Sequence, residues 1–254
     1  MGRQDSVIQL TGSVGNLSFY KSKDGYLARK KSGVTAERVK SDPKFARTRE
    51  NMAEFTRSGQ ATKLLRTAFR SLLENMADGR VTGRLTREMM RVIQADQVNL
   101  RGQRNVNDGE AALMEGFEFN ESGKLLKTFF APFTATVDRA AGILLVDIPA
   151  FVPANMISWP EGATHIRLKA GGAAIDFAAA SYAVTTSESA EIALGQQLQE
   201  ALQLSHAVPA ASASPLFLVF GIEFLQFVNG VQYPLKNGTF NAMAIVKADG
   251  GAPA

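Results

Sequence analysis

Two histidines, His165 and His206, are the only imidazoles in the chain, and there is no cysteine. Without thiolates, a zinc site needs about three ligands drawn from His, Asp and Glu. Histidines 41 residues apart offer no such local spacing. Glu50 and Glu54 stand four apart and so share one face of a helix, a spacing that paired acid–base carboxylates could use. Arg47, Arg49 and Arg57 flank them, and an ion-pair ladder is the expected use. Glu118, between Phe117 and Phe119, fits strand alternation without any chemistry. The sequence carries no Gly-x-Ser-x-Gly elbow, no phosphate-binding loop and no His-Glu-x-x-His. Gly12-x-x-Gly15 opens no helix and lacks a third glycine, so it reads as two bends between strands. These residues predict a chain that is not an enzyme, with no cofactor, no metal and no small-molecule substrate.

The basic residues carry the clearest functional signal. Residues 1–130 hold 23 Lys and Arg against 15 Asp and Glu, a net of +8. Residues 131–254 hold 5 against 9, a net of −4, which leaves +4 for the whole. Arg29, Lys30 and Lys31 close a hairpin, and Arg38, Arg47 and Arg49 follow. Arg66, Arg70, Arg84, Arg87 and Arg91 then continue through helical sequence. Arg66 and Arg70 are four apart, as are Arg87 and Arg91, so each pair shares a helix face. The planar guanidinium suits fixed carboxylates as well as phosphates. These residues are therefore a candidate surface for either assembly or phosphate contact. A second candidate is an apolar arm, Val7, Ile8 and Leu10, read as a strand that could add to a sheet edge of a neighbour.

The elements that must position these groups fall into three runs. Residues 7–31 read as a glycine-bounded β-hairpin unit, with a turn at Lys23-Asp24-Gly25. Such a unit is too small to stand alone and must pack on something. Residues from about 35 to 95 read as helices. Asp42-Pro43 caps the first, with Phe45, Met52 and Phe55 as its apolar stripe. Leu64, Leu65, Ala68, Phe69, Leu72, Leu73 and Met76 form the strongest helical repeat. A third helix over about 84–95 would bury Leu85, Met89, Val92 and Ile93. Residues 125–254 read as an antiparallel β-sandwich, with hairpin turns at Asn229-Gly230 and Asn237-Gly238 and a short helix at 196–204. The class is α+β, divided into a basic region, 1–124, and a β-sandwich, 125–254. In AGGAAIDFAAASYAV, residues 170–184, side chains are small enough for another chain segment to approach closely.

Residues 11–33, TGSVGNLSFYKSKDGYLARKKSG, and 41–55, SDPKFARTRENMAEF, resemble an uncharacterised bacterial family. Its members begin with a glycine-bounded hairpin, continue into an Arg-rich helical segment and end in a β-rich region. The resemblance implies an architecture like that of phage-like or filament-forming subunits and transfers no site residue.

The expectation is thus a structural subunit whose partner is itself, building a filament, tube or ring from basic and acidic faces. A nucleic-acid-binding or packaging protein that uses the helical arginines is the alternative. The most apolar stretch, Leu216 to Ile222, is too short to span a bilayer, and the opening residues have no signal-peptide core. A cytoplasmic protein, or part of an assembly exported without a cleaved signal, is expected.

Overall fold

The computed structural model describes residues 2–5, 8–30 and 33–251. Val7 and Lys31 lie outside the described residues. The chain divides into two compact units, Met1–Arg49 and Glu50–Ala254, and the fold is α+β.

In the first unit, β1 (Gly2–Arg3), β2 (Gly12–Val14), β3 (Leu17–Ser22) and β4 (Gly25–Lys30) form an antiparallel sheet in the order β1-β4-β3-β2. Both tight turns follow from local chemistry. Gly15 and Gly25 have φ of +52° and +104°, which glycine adopts without Cβ strain. Ile8 and Leu10 belong to no strand, in contrast to the expected arm. The side-chain amide of Gln4 takes up the backbone of Leu10 instead, donating to its carbonyl at 3.1 Å and accepting from its N–H at 2.9 Å. The strands flanking the hairpin are β1, which pairs with β4, and β2, which pairs with β3, all of the same chain. Helix α1 (Ala36–Ser41) is capped by Thr35, whose Oγ1 accepts from the Arg38 N–H. Asp42 and Pro43, expected to open the first helix, instead follow α1 and open a single 3₁₀ turn, Pro43–Phe45, that leads into the next helix.

Helix α2 (Ala46–Ala68) runs through Gly59 without interruption. Its buried face is Glu54, Ser58, Ala61, Thr62, Leu65 and Ala68 rather than the expected Met52 and Phe55 stripe. The reason is polar. Glu54 Oε1 accepts the Gly102 N–H at 2.8 Å, and Arg57 donates to the carbonyls of Gly102 and Arg104 at 2.6 and 3.1 Å. The ordered loop after residue 95 thereby claims that face. Met52 and Phe55 remain 57% and 63% exposed on the other side. Helices α3 (Arg70–Leu73) and α4 (Val81–Gln94) follow. Leu65, Phe69, Leu72, Met76, Leu85, Met89, Val92 and Ile93 are buried at the spacing their repeat predicts.

The remaining strands make two sheets. β5 (Thr134–Asp138), β6 (Ile143–Ile148) and β10 (Leu202–Ala207) form a three-stranded sheet in the order β10-β6-β5. β7 (His165–Asp176) and β11 (Leu216–Val228) are the long central strands of the second. β8 (Ser181–Glu188) and β9 (Ile192–Ala193) pair with β7. β12 (Val231–Pro234) and β13 (Ala242–Asp249) pair with β11. Asn229-Gly230 makes the two-residue hairpin turn between β11 and β12, with Val228 opposite Val231. Asn237-Gly238 is not a hairpin turn. It lies in a 3₁₀ segment, Leu235–Gly238, that carries the chain from β12 to β13 along the same edge of β11. The expected helix at 196–204 is also absent. Leu202, Leu204 and His206 alternate inward, so the segment joins the sheet as β10 beside β6.

The larger sheet has a core on each face. One packs Ala173, Ile175, Phe217 and Val219 against the helices. The other packs Ile166, Leu168, Phe220 and Ile222 against Leu144, Val146 and Ile148 of the smaller sheet. β7 is thin because both neighbours press on it. A Cβ on Gly171 would lie 2.7 Å from Leu72 Cδ1, and one on Gly172 would lie 2.7 Å from His206 Cβ. No helix of the described residues is long and apolar enough to cross a membrane.

Candidate interaction surfaces

The sheet of the first unit has two unlike faces, set by strand alternation and register. Val14 stands opposite Leu17, Phe19 opposite Ala28, and Lys21 opposite Tyr26. These side chains share one face, apolar in the middle with Lys21 and Lys30 at its rim. The other face carries Ser18, Tyr20, Leu27 and Arg29, with the Arg29 guanidinium 5.5 Å from the Tyr20 ring. None of the described residues in Met1–Arg49 is buried, and Val14 and Leu17 are 65% and 44% exposed.

Two of the basic residues of this unit bond to their own segment. Arg38 pairs with Asp42 at 3.3 Å. Arg49 Nη1 donates to the carbonyls of Val39 and Asp42 at 2.8 and 2.9 Å, tying down the end of α1. Lys30 ends β4 opposite Leu17. Arg47 is exposed at the start of α2.

In the second unit the structure brings Arg84, Arg87 and Arg91 together along a groove of about 310 Å³ between α4 and residues 113–124. Arg84 is held there through its two terminal nitrogens. It donates to the main-chain carbonyls of Glu118 and Phe119 at 2.6 and 3.1 Å, pairs with Asp78, and lies over the Phe117 ring at 5.3 Å. Burial pushes the Asp78 carboxyl up. The N–H groups of Glu121 and Arg80, with the Arg84 guanidinium, more than reverse this and hold it below its ordinary value. Arg87 and Arg91 share Glu88, at 3.1 and 2.5 Å. Glu118 is the opposite case: burial raises its carboxyl above the ordinary range, against the Leu125 N–H, Lys124 and Arg84. Both of its oxygens accept from the Leu125 N–H at 3.1 Å.

Glu121 and Lys124 also line an adjoining depression of about 380 Å³ with Lys127, Trp159 and Phe240. The combined trough presents Arg84, Arg87, Arg91, Lys124 and Lys127 beside Glu88, Glu115, Glu118 and Glu121. Such alternation suits a polypeptide of mixed charge better than a phosphate backbone, which needs uncompensated cations. Arg66 and Arg70 lie apart from this trough. They border a shallow depression of about 770 Å³ with Glu74 and Tyr182.

The histidines are not brought together. His206 is buried, its Nε2 3.5 Å from Ser187 Oγ. Burial lowers its pKa below the ordinary 6.5, against a hydrogen bond with the Thr185 backbone. His165 Nδ1 is 3.0 Å from Thr164 Oγ1, and its ring lies 4.3 Å from that of Phe227, tilted by 42°. Among the described residues no group of three His, Asp or Glu is placed to hold a metal ion.

Sequence reasoning missed two polar clusters. In the first, Glu223 sits 2.9 Å from Lys169 and 3.7 Å from Arg167, and Arg167 reaches Glu191 at 2.5 Å. The pairing follows from the β7–β11 register, which places Glu223 opposite Arg167. Charges at alternate positions in His165–Lys169 were the available signal. In the second, the buried Asp96 accepts from the N–H groups of Val98, Asn99 and Asn105 and from the Asn99 amide, all within 2.8–3.0 Å. Asp-x-x-Asn at 96–99 was its local signal.

Comparison of the chain with protein-family models, curated proteins and solved structures finds no match.

Proposed function

We propose that this chain is a non-enzymatic structural subunit that assembles with copies of itself. The observation that carries the reading is the first unit: a four-stranded sheet with an apolar face and no buried side chain among its described residues. A sheet of that size gains stability only by covering such a face. Charge supplies the complementary partner. Residues 1–49 hold 11 Lys and Arg against 4 Asp and Glu, a net of +7, and residues 50–254 hold 17 against 20, a net of −3. A basic region meeting an acidic body on the next copy is a head-to-tail contact, which gives a ring when the rotation closes and a filament or tube when it does not.

The net +7 also favours the second reading, binding or packaging of nucleic acid. It is the weaker one, because Arg38, Arg49, Arg84, Arg87 and Arg91 already bond to carboxylates or carbonyls of their own chain. Light scattering at about 50 mM and about 500 mM salt tests the first reading, since screening shortens several-fold between them. Assemblies at low salt that shrink at high salt are expected. A monomer at both salts, with duplex bound at low salt, would replace self-assembly with nucleic-acid binding.

A further inference from the structure

We infer that the apolar face of the first unit's sheet, formed by Val14, Leu17, Phe19, Tyr26 and Ala28, docks on residues 50–254 of a second copy of this chain. The inference rests on the self-assembly reading and adds which face is used and which part of the neighbour receives it. The register places these five side chains on one side of the sheet, and none of them is buried. Val14 and Leu17 are exposed and Phe19, Tyr26 and Ala28 are half-buried, so the face keeps apolar area that a partner can cover.

The polarity of the contact follows from charge. Two such faces packed on each other would bring Lys21 and Lys30 of both copies together, within units that each carry a net +7. Like charges held across an interface oppose the contact, and opposite charges steer it. The larger unit carries net charge of the opposite sign, −3. Lys21 and Lys30 then form a basic rim around an apolar centre, the usual arrangement of a protein–protein contact. The interface is heterologous: the sheet of one copy meets the body of the next, so each copy both gives and receives.

Photo-cross-linking tests this on the full chain. Leu17 is replaced by a benzophenone-bearing residue, and nitrogen-labelled and unlabelled chains are mixed, refolded together and irradiated. Cross-links joining position 17 to residues 50–254 of a differently labelled chain are expected. Changing Lys21 and Lys30 together to Glu should lower their yield several-fold. Cross-links from position 17 to the first unit of another chain would overturn the polarity. Cross-links confined to single chains would overturn the docking face. If light scattering still shows assemblies, that failure is of this inference alone. If the chain is a monomer, the self-assembly reading fails with it.

Discussion

Arg84 donates a hydrogen bond of 2.6 Å to the main-chain carbonyl of Glu118, 34 residues further along the chain. The same guanidinium holds the carbonyl of Phe119 and pairs with Asp78, so one side chain fastens α4 to the segment that lines the groove. Arg87 and Arg91, on the same helix, form their ion pairs among the described residues with Glu88. Removing Arg84 strands buried acceptors. Arg84→Ala should therefore cost about 2–3 kcal/mol, while Arg87→Ala should stay within about 0.5 kcal/mol. Urea unfolding of the two variants checks the contrast, and equal effects would refute it.

Gly171 and Gly172 separate two kinds of close approach. A Cβ on Gly172 meets the base of the His206 side chain, whereas one on Gly171 meets the mobile end of Leu72. Gly172→Ala should cost about 1–3 kcal/mol by overpacking, and Gly171→Ala less, because Leu72 can turn away. Thermal unfolding of both variants gives the order.

Asp96 links its loop through four hydrogen bonds to its two oxygens. Burial raises its pKa, and the hydrogen bonds from Asn99, Asn105 and Val98 outweigh that and lower it below 3.8. Its contribution is present above pH 3.8 and is lost as pH falls through the lower folded value. Asp96→Asn cannot accept on both sides and should cost about 1–3 kcal/mol at neutral pH. Hydrogen exchange should then speed up at Val98, Asn99 and Asn105. Unchanged exchange there would contradict the assignment.

His206, on β10 against β8, should contribute a pH dependence to stability. Burial lowers its pKa from 6.5, so the fold keeps the ring neutral while the unfolded chain takes a proton. Stability should be full above pH 6.5 and decline as pH falls below it, until the folded value is reached. Urea midpoints measured downward from pH 8 in wild type and His206→Phe check this. The variant should lose that part of the slope.

Much of the fold was legible. The repeat from Leu64 to Met76 and that of α4 showed their buried faces, because tertiary packing uses the stripe the spacing creates. Asn229-Gly230 marked its hairpin for the same local reason. The failures share another cause. Glu54, not Phe55, is buried because the loop around Gly102 needed an acceptor, and that loop is 48 residues away. Residues 196–204 contain good helix formers, yet they lead into β10 because β6 offers an edge. The candidate surface was legible as positions only. Arg84, Arg87 and Arg91 were correctly placed on one helix, but the carbonyls that occupy Arg84 are set by long-range packing. The apolar sheet face was half visible: alternation was clear in 17–28, but not that its described residues would stay unburied.

The most direct test of self-assembly compares wild type with the double variant Val14→Lys, Leu17→Lys by multi-angle light scattering at low salt. Both residues are exposed, so circular dichroism should be unchanged. Wild type should give particles well above the 27.3 kDa of one chain, and the variant should return to that mass. A wild type that stays at 27.3 kDa across the concentration range would contradict the account, as would a variant that assembles equally well.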